Sequence, residues 1–532
     1  MHKLGLDFGT TNSTLSYLDP SRKVIECYRM GGADGSPYIP SFVSYDVSDG
    51  SICIGDSARI NEGDSDYKIF SRFKMLLSED RQEKLERYGY EHQSPRDCAK
   101  AFVEYLIQNY CQEQNIESSI ENVVITVPEI WVREGRHASR ECLKEICQEL
   151  GLPVRRFLSE PVAAAVYFAH CFREQYGRSF DGHVLVCDYG GGTLDLSLSK
   201  VEAERISVLE CTGKGYDSQT LGKAGVAFDE ATVMAVYERL KGMRLSRTEQ
   251  TFPGFMREFE ERKIKLRKHV DKILEQYLKN KTVNKKAFEV NSVEFKASDL
   301  ADAFNLVIKS ELLDALTEMK SYLDEHQVDC NDSDRFRVVM VGGFSGFYLV
   351  QQTVREFFGS ETTEDQRFNS CFTVEDTALA ISKGAALIAN EMFSIDPVCP
   401  ITVGLMVWKD DGTGEYKFTE IPFLKKGVKI SQYLASVFLK GLARFSIDPR
   451  NRKLPITIFL RDKRGRWRIS LEKAVDRLLP NAHQQGNQWK IGFSVDENYL
   501  FTFHAVDLSG SVQETPLGAL LEKVAGIILE EG

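Results

Sequence analysis

Two short turns in the sequence combine an aspartate with glycines and threonines, a composition suited to binding phosphate. They are Asp7-Phe8-Gly9-Thr10-Thr11-Asn12-Ser13 and Asp188-Tyr189-Gly190-Gly191-Gly192-Thr193-Leu194-Asp195. Glycine lets the backbone approach a phosphate, amides and hydroxyls donate to its oxygens, and a carboxylate at a strand end can hold Mg²⁺ through water. A single turn of this kind also suits an ordinary hairpin. Two of them, each directly after an apolar strand, predict a duplicated scaffold that clamps phosphate.

A third glycine-rich element, Val341-Gly342-Gly343-Phe344-Ser345-Gly346, follows an apolar run and precedes a helical one. Without side chains, its backbone could lie against a planar base or a ribose. The sequence contains neither the GxxxxGK[ST] phosphate loop nor the GxGxxG dinucleotide fingerprint. The three elements together predict a nucleotide cleft of a different design.

The elements around these turns indicate an α/β architecture up to about residue 397. Apolar runs predict strands at Val123–Val127, His183–Cys187, Leu194–Val201 and Val338–Val341. Apolar spacing of three to four predicts helices at Glu134–Leu150, Pro161–Phe172 and Leu349–Phe358. Residues 226–323 are predicted to be mostly helical. Their basic stretch at 261–286 indicates a solvated helix face, with a ligand contact as the alternative.

The pattern of predicted elements changes at Asp396–Pro400 to short alternating strands, and the two prolines there indicate a domain boundary. We therefore predict a nucleotide domain at 1–395, a linker at 396–400, an all-β domain at 401–510 and a short helix within 511–532, from Leu517 to Leu529. Since proline lacks an amide hydrogen, the linker is not expected to add to a sheet as a regular strand.

Length and composition restrict the class of protein. A chain of 532 residues is too long for one hydrophobic core. A net charge of -11 disfavours nucleic acid as a partner. The twelve cysteines contain no CxxC pair and the nine histidines no metal-ligand cluster, which predicts reduced thiols. No apolar run approaches the length of a membrane span, so we expect a cytoplasmic protein.

Six motifs, in this order, resemble the nucleotide-binding domain of the 70-kDa heat-shock chaperones. They are DFGTTNS, ITVPEIW, LSEPVAAA, CDYGGGTLD, MVGGFSG and ALAISKGAA. The resemblance covers nearly all of residues 1–395, and FSRFKM and GGFSG look closer to a divergent branch. It implies a two-lobed, actin-like (ribonuclease H-like) ATPase fold, followed by a β-sandwich-like substrate domain.

The resemblance also implies Mg²⁺ and ATP or ADP as ligands and gives individual residues roles. Lys74 would approach the γ-phosphate and the attacking water, Glu160 and Asp188 would organise Mg²⁺ and water, and Thr193 would supply a hydroxyl. Asp7 and Asp188 are the predicted metal-site residues. The predicted nucleotide contacts are Gly9, Thr10, Thr11, Asn12, Gly190, Gly191, Gly192, Thr193, Glu260, Lys263, Gly342, Gly343 and Phe344.

The adenosine side departs from the family pattern at four positions. Glu260 and Lys263 match a helix that grips ribose and base, but Ile264 stands where the family has a basic residue and Arg267 where it has a serine. Phe344 and Gly346 likewise replace a serine and an arginine.

Downstream, Lys490–Asp507 looks like the last hairpin of the family's substrate domain, whereas the long helical lid has no counterpart. The resemblance implies an ATP-dependent chaperone with weak ATPase activity and unfolded or extended polypeptide clients. A co-chaperone and a nucleotide-exchange factor would be further partners. Two alternatives stay open: a nucleotide-binding scaffold with little turnover, and a small-molecule kinase of the same fold.

Overall fold

The computed structural model describes residues 2–32, 35–116, 120–129, 131, 137–214, 224–242, 251–360, 364–373, 376–397, 399, 401–410, 415–426, 428–435, 437–438, 452–461, 466–496, 500–518 and 520. The chain divides into two compact units. The first contains most of residues 1–394, and the second contains Ile395–Gly532 together with Ser207–Glu210.

The strands of the first part of the chain are β1 His2–Asp7, β2 Asn12–Leu18, β3 Ile25–Cys27, β4 Ile39–Pro40, β5 Phe42–Asp46, β6 Ile52–Ile54, β7 Tyr67–Ser71, β8 Ile120–Val127, β9 Val154–Ser159, β10 Asp181–Tyr189, β11 Leu194–Glu202, β12 Arg205–Lys214, β13 Lys286–Val290, β14 Val293–Lys296, β15 Phe336–Val341 and β16 Ser394–Pro397.

The helices are α1 Asp56–Ile60, α2 Phe73–Leu76, α3 Gln82–Arg87, α4 Pro95–Glu113, α5 His137–Glu149, α6 Glu160–Tyr176, α7 Gly225–Lys241, α8 Thr251–Lys265, α9 Arg267–Lys279, α10 Ala297–Val307, α11 Lys309–Glu325, α12 Tyr348–Phe357, α13 Asp376–Ala389 and α14 Val475–Leu478.

The part of the chain up to Pro397 contains two sheets built on the same plan. One has the order β3-β2-β1-β8-β9, and the other has the order β15-β10-β11-β12-β16. In each, an antiparallel hairpin (β1–β2 or β10–β11) pairs in parallel with a later strand, β8 or β15. The two phosphate-type turns occupy the corresponding place in both hairpins, which confirms the predicted duplication.

Small residues let helix α13 pack closely against strand β1 and helix α6. An added Cβ at Gly5 of β1 would lie 2.2 Å from the backbone nitrogen of Ala386, and one at Gly384 would lie 1.9 Å from the carbonyl oxygen of Ala163 in α6. Both positions would clash with backbone, which cannot move as a side chain can. The glycine and alanines of the ALAISKGAA motif therefore serve helix packing.

The predicted strands and helices of the first unit are confirmed, with the start of the predicted Glu134–Leu150 helix falling partly outside the described residues. Residues 226–323 are mostly helical as predicted, but they also contain the β13–β14 hairpin, which the sequence analysis missed. Its short alternation of buried and exposed residues was too brief to distinguish from helix.

The strands of the second unit are β17 Thr402–Asp410, β18 Tyr416–Leu424, β19 Val437–Phe438, β20 Lys453–Arg461, β21 Arg466–Ala474, β22 Lys490–Val495, β23 Phe501–Val506 and β24 Val512–Gly518. They form two antiparallel sheets of order β18-β17-β20-β21 and β19-β22-β23-β24. The predicted β-rich C-terminal architecture is confirmed.

Two expectations near the domain ends need correction. Strand β24 includes Leu517 and pairs with β23, so the helix predicted from Leu517 to Leu529 begins later than Leu517. Leu520 is helical, and residues 521–532 of that prediction lie outside the described ranges. The linker was not expected to add as a strand, but Ser394–Pro397 forms β16 beside β12. Pro397 stands at the last position of the strand, where its missing amide interrupts no further pairing.

Two further observations concern the cysteines and the apolar character of the helices. All twelve cysteines are free, as predicted. None of the helices within the described ranges combines the length and apolar character that a membrane crossing needs.

Candidate active site

The two acidic turns face each other within the first unit. An added Cβ at Gly191 would lie 2.7 Å from the hydroxyl oxygen of Thr11, and one at Gly192 would lie 3.0 Å from that of Thr10. Turns that are 180 residues apart in sequence thus touch through glycine and threonine. The structure brings together the two elements that the sequence analysis selected.

Hydrogen bonds hold each turn in shape, within the turn and, for the first turn, also from Ser41. The amide of Gly9 donates to the hydroxyl of Ser13 at 3.1 Å, and the hydroxyl of Ser41 donates to the Gly9 carbonyl at 2.8 Å. The amide of Gly190 donates to the carbonyl of Thr193 at 3.1 Å.

Gly9 and Gly190 differ in what surrounds them. A Cβ at Gly9 would lie 1.8 Å from the carbonyl oxygen of Asn12, whereas a Cβ at Gly190 would meet no atom within 4 Å. Gly9 is therefore needed by the turn itself. The space beside Gly190 is open, as a backbone cradle for phosphate requires.

A buried ion pair lies beside these turns. Lys74 Nζ is 2.5 Å from Glu160 Oε1, and their side chains are only 2% and 9% exposed. Lys74 belongs to α2, which starts after Arg72 in the left-handed conformation, and Glu160 is the first residue of α6. The rings of Phe8 and Trp131 lie 6.0 and 5.8 Å from Lys74 Nζ. Aromatic walls exclude water on that side, so the pair is strongly constrained.

Three buried aspartates accompany the pair: Asp7, Asp188 and Asp195. Burial, followed by the charge of Glu160, raises the pKa of Asp7 to about 7, while Lys74 and a hydrogen bond from Thr126 oppose the shift. Burial and the charge of Glu160 also raise the pKa of Asp188 and Asp195 well above the usual range. The cluster thus has too little positive charge to balance its carboxyl groups.

Two buried carboxylate oxygens of this cluster, Asp188 Oδ2 and Asp195 Oδ2, have no hydrogen-bond partner. Such an atom is costly unless a ligand or cation satisfies it. Among the described residues, no three His, Cys, Asp or Glu side chains converge into a metal cage. Mg²⁺ commonly binds one or two carboxylates plus phosphate and water, so Asp7 and Asp188 fit that ion better than a fully protein-bound metal.

The third glycine element reaches the same cluster. Gly342 has φ +83°, and an added Cβ would lie 2.4 Å from Asp188 Oδ1. Glycine tolerates this positive φ, and any side chain here would collide with Asp188. The neighbouring Gly343 would meet nothing within 4 Å if it carried a Cβ, so its space is open like that of Gly190.

Phe344 is buried in an aromatic cluster. Its ring lies 5.2 Å from Tyr189, 5.2 Å from Phe228 and 5.5 Å from Phe347, measured between centroids. With 5% of its surface exposed, it supports the wall of the cleft more than it offers a polar contact.

Glu260 and Lys263 already have protein partners. Lys263 Nζ lies 2.5 and 2.7 Å from the two carboxylate oxygens of the buried Asp229, and Glu260 pairs with Arg59 at 3.7 Å. Burial raises the pKa of Asp229 to about 6, although Lys263 opposes the shift. The described geometry does not bring Glu260 and Lys263 into the cluster around Lys74.

Ion pairs connect the two lobes of the first unit. Arg59 pairs with Glu260, Arg72 Nη1 donates to Glu230 Oε1 at 3.0 Å, and Arg257 lies 3.8 Å from Glu62. The segment 59–72 is therefore tied to helices α7 and α8.

Sequence reasoning missed several residues of the site. Asp195 lies in the second turn but received no role, and its Oδ1 accepts a hydrogen bond from the amide of Glu129 at 3.0 Å. Asp229, Thr126 and the inter-lobe arginines Arg59 and Arg72 were also missed. A carboxylate at the end of the DYGGGTLD motif was a visible signal for Asp195, whereas the others carry no local pattern.

Comparison with known proteins adds independent information. A family model described as Hsp70 protein matches residues 65–415. The chaperone protein DnaK of Thermotoga petrophila is 26% identical over 416 residues, covering 76% of this chain and 63% of that protein. The corresponding protein of Thermosipho melanesiensis is 24% identical over 412 residues, with the same coverage. This chain thus spans less than two thirds of the length of these relatives.

Proposed function

The chain belongs to the Hsp70 family, and from this premise we propose that it binds Mg²⁺ and ATP in the cleft of its first unit and hydrolyses ATP slowly. The observation that carries the proposal is the buried Lys74–Glu160 pair beside Asp188, whose Oδ2 has no partner, between two facing glycine turns.

Phosphoryl transfer asks little covalent chemistry of the protein, so positioning and charge neutralisation supply most of the rate. Lys74 is the one cation within this acid cluster among the described residues, and Glu160 fixes its position through a short ion pair. A cation held there would stabilise the charge that develops on the transferring phosphoryl group. Glu160 would also orient the attacking water.

The turns would bind and orient the nucleotide phosphates. Gly190 and Gly343 leave backbone accessible, and the hydroxyls of Thr10, Thr11 and Thr193 would donate to phosphate oxygens or to water. Asp7 and Asp188 would hold Mg²⁺ directly or through water. When bound, the ion would neutralise phosphate charge in a cluster that otherwise lacks it.

We propose that the β-rich second unit binds unfolded or extended polypeptide, which would make the protein an ATP-dependent chaperone. Its two antiparallel sheets, including the β22–β23 hairpin, support this function together with family membership. A co-chaperone and a nucleotide-exchange factor are proposed as further partners. Twelve free cysteines fit a reducing compartment and support a cytoplasmic location.

A nucleotide-binding scaffold with little turnover is the second candidate. The observations that favour it are Ile264 and Phe344, which replace a basic residue and a serine of the family pattern on the adenosine side, and the engagement of Lys263 by Asp229.

The test combines calorimetry with turnover. Titration of the full chain with ADP and ATP, with and without Mg²⁺, should show binding that depends on the ion. Hydrolysis of ATP that rises on addition of an unfolded peptide supports the chaperone. Mg²⁺-dependent binding without turnover supports the scaffold, and transfer of phosphate to a small molecule supports a kinase. No detectable binding of either nucleotide at high protein concentration would refute the central proposal.

A further inference from the structure

Gly346 lies unusually close to an arginine from another element. An added Cβ at Gly346 would be 2.8 Å from Arg267 Nη1 and 3.0 Å from both Cζ and Nη2. The backbone of Gly346 does not have a positive φ, so its conformation alone does not call for glycine. The guanidinium group of Arg267 thus occupies the space that a side chain at position 346 would take.

The fold holds Arg267 at this place. Helix α8 ends at Lys265 and helix α9 begins at Arg267, with Leu266 between them in a non-helical conformation. The side chain of Arg267 is 50% exposed, and its Nε lies 3.8 Å from Asp271 Oδ2. A distant, exposed ion pair of this kind constrains the group weakly. Half of the side-chain surface of Arg267 is therefore accessible to a ligand.

The glycine segment connects Arg267 with the acid cluster. Gly342 lies against Asp188, and Gly346 lies against Arg267. The four residue steps between these glycines span at most about 13 Å. Gly343, which lies between them, borders open space. A single small molecule bound at Asp188 could therefore extend along this segment to Arg267.

The other cation and the apolar residue nearby are less suited to contact a base. Lys263 is engaged by both carboxylate oxygens of Asp229. Ile264 carries no charge and is 63% exposed. A guanidinium is planar and stacks on aromatic faces, which an ammonium group does less well.

We propose that Arg267, resting on Gly346, provides the planar face against which the base of the nucleotide stacks, and so supplies affinity at the base end of the cleft. This inference rests on the proposed nucleotide function. It assigns the adenosine end of the cleft to Arg267 instead of Lys263.

The experiment measures the affinity of the full chain, with Mg²⁺, for ADP and for inorganic tripolyphosphate, which has no base. Arg267→Ala should weaken ADP binding about tenfold and leave tripolyphosphate binding unchanged, while Arg267→Lys should lose part of the ADP affinity. Lys268→Ala removes a neighbouring exposed charge and is the matched control, with no change expected. ADP affinity within twofold of wild type, a gain in affinity, or an equal loss for tripolyphosphate would overturn the inference.

Gly346→Ala tests the packing independently. The added methyl should displace the guanidinium and weaken ADP binding to a similar extent, and combining it with Arg267→Ala should add little further loss. Gly254→Ala, in helix α8 with no atom within 4 Å of the new methyl, controls for glycine replacement. Unchanged ADP affinity in a folded Gly346→Ala protein would contradict the proposal. Absence of ADP binding by the wild type would instead refute the nucleotide function on which it rests.

Discussion

Replacing Lys74 by methionine should remove most of the ATP turnover and leave nucleotide binding nearly intact. The substitution keeps the unbranched aliphatic side chain but removes the cation of the Lys74–Glu160 pair. A group aimed at charge that develops in the transition state lowers the barrier more than it aids ground-state binding. We therefore expect kcat to fall by about 10²–10³-fold and the nucleotide Kd to change by less than about fivefold.

The same substitution should also reduce stability, and the size follows from the geometry. At the 2.5 Å separation of Nζ and Oε1, the attraction at an effective dielectric constant of about 20 is roughly 6–7 kcal/mol. Desolvation of both groups offsets part of it, and breaking such a buried pair costs about 3–5 kcal/mol. A loss of turnover could therefore reflect unfolding unless stability is controlled.

Lys84 offers a matched control. It is also a buried lysine, 3.3 Å from the buried Glu79, and it lies in α3, away from the acid cluster. Lys84→Met should lower the thermal unfolding temperature, by less than Lys74→Met because Arg81 still pairs with Glu79, and should retain turnover. The assay is single-turnover hydrolysis of γ-labelled ATP at a temperature where both variants are folded. Turnover by Lys74→Met within threefold of the wild type would show that the proposed role of Lys74 is wrong.

Three further outcomes are expected. Gly190→Ala should leave the unfolding temperature unchanged, since the new methyl meets no protein atom, but weaken ATP binding at least tenfold in calorimetry; equal affinity would show that phosphate does not approach there. Burial raises the pKa of Asp7 to about 7, so its contribution to the stability of the nucleotide-free protein is greatest below the unfolded pKa near 4 and is lost as pH rises through about 7. Asp7→Asn should therefore flatten the dependence of the unfolding free energy on pH in this range, by about 4 kcal/mol at most. Identical melting curves for the variant and the wild type from pH 5 to pH 8 would contradict the assignment. Arg59→Ala breaks the inter-lobe pair with Glu260 and should speed the release of a fluorescent ADP analogue in stopped flow by a few-fold at low salt, with less effect at high salt; a release rate independent of the substitution would show that this pair does not restrain the cleft.

Several features of the fold were predictable because they depend on neighbouring residues. Strands β1 and β10 are apolar runs followed at once by glycine and threonine, and this local pattern indicated both the hairpins and their phosphate-type turns. The β13–β14 hairpin was missed because its strands are too short to show a clear period. Strand β24 was missed because Leu517 begins a run whose apolar spacing also suits a helix, and pairing with β23 decides between the two.

The roles of charged residues were less predictable. Lys74 and Glu160 were selected from motifs, but their direct contact across 86 residues was not. Glu260 and Lys263 carried the right motif for the adenosine side, yet Arg59 and Asp229 engage them. Arg267 departs from the family pattern, and only the tertiary structure brings it beside Gly346.

The sequence by itself determined the α/β class, the duplicated turns, the β-rich C-terminal part and the family, because each follows from local periodicity and the order of short motifs. The tertiary structure alone decided which charges pair, which glycines border open space and which aspartate oxygens have no hydrogen-bond partner. Those properties depend on distances between residues that are far apart along the chain and on the burial that raises the pKa of Asp7. Local sequence carries little information about either, since both arise only when the chain folds and brings distant segments together.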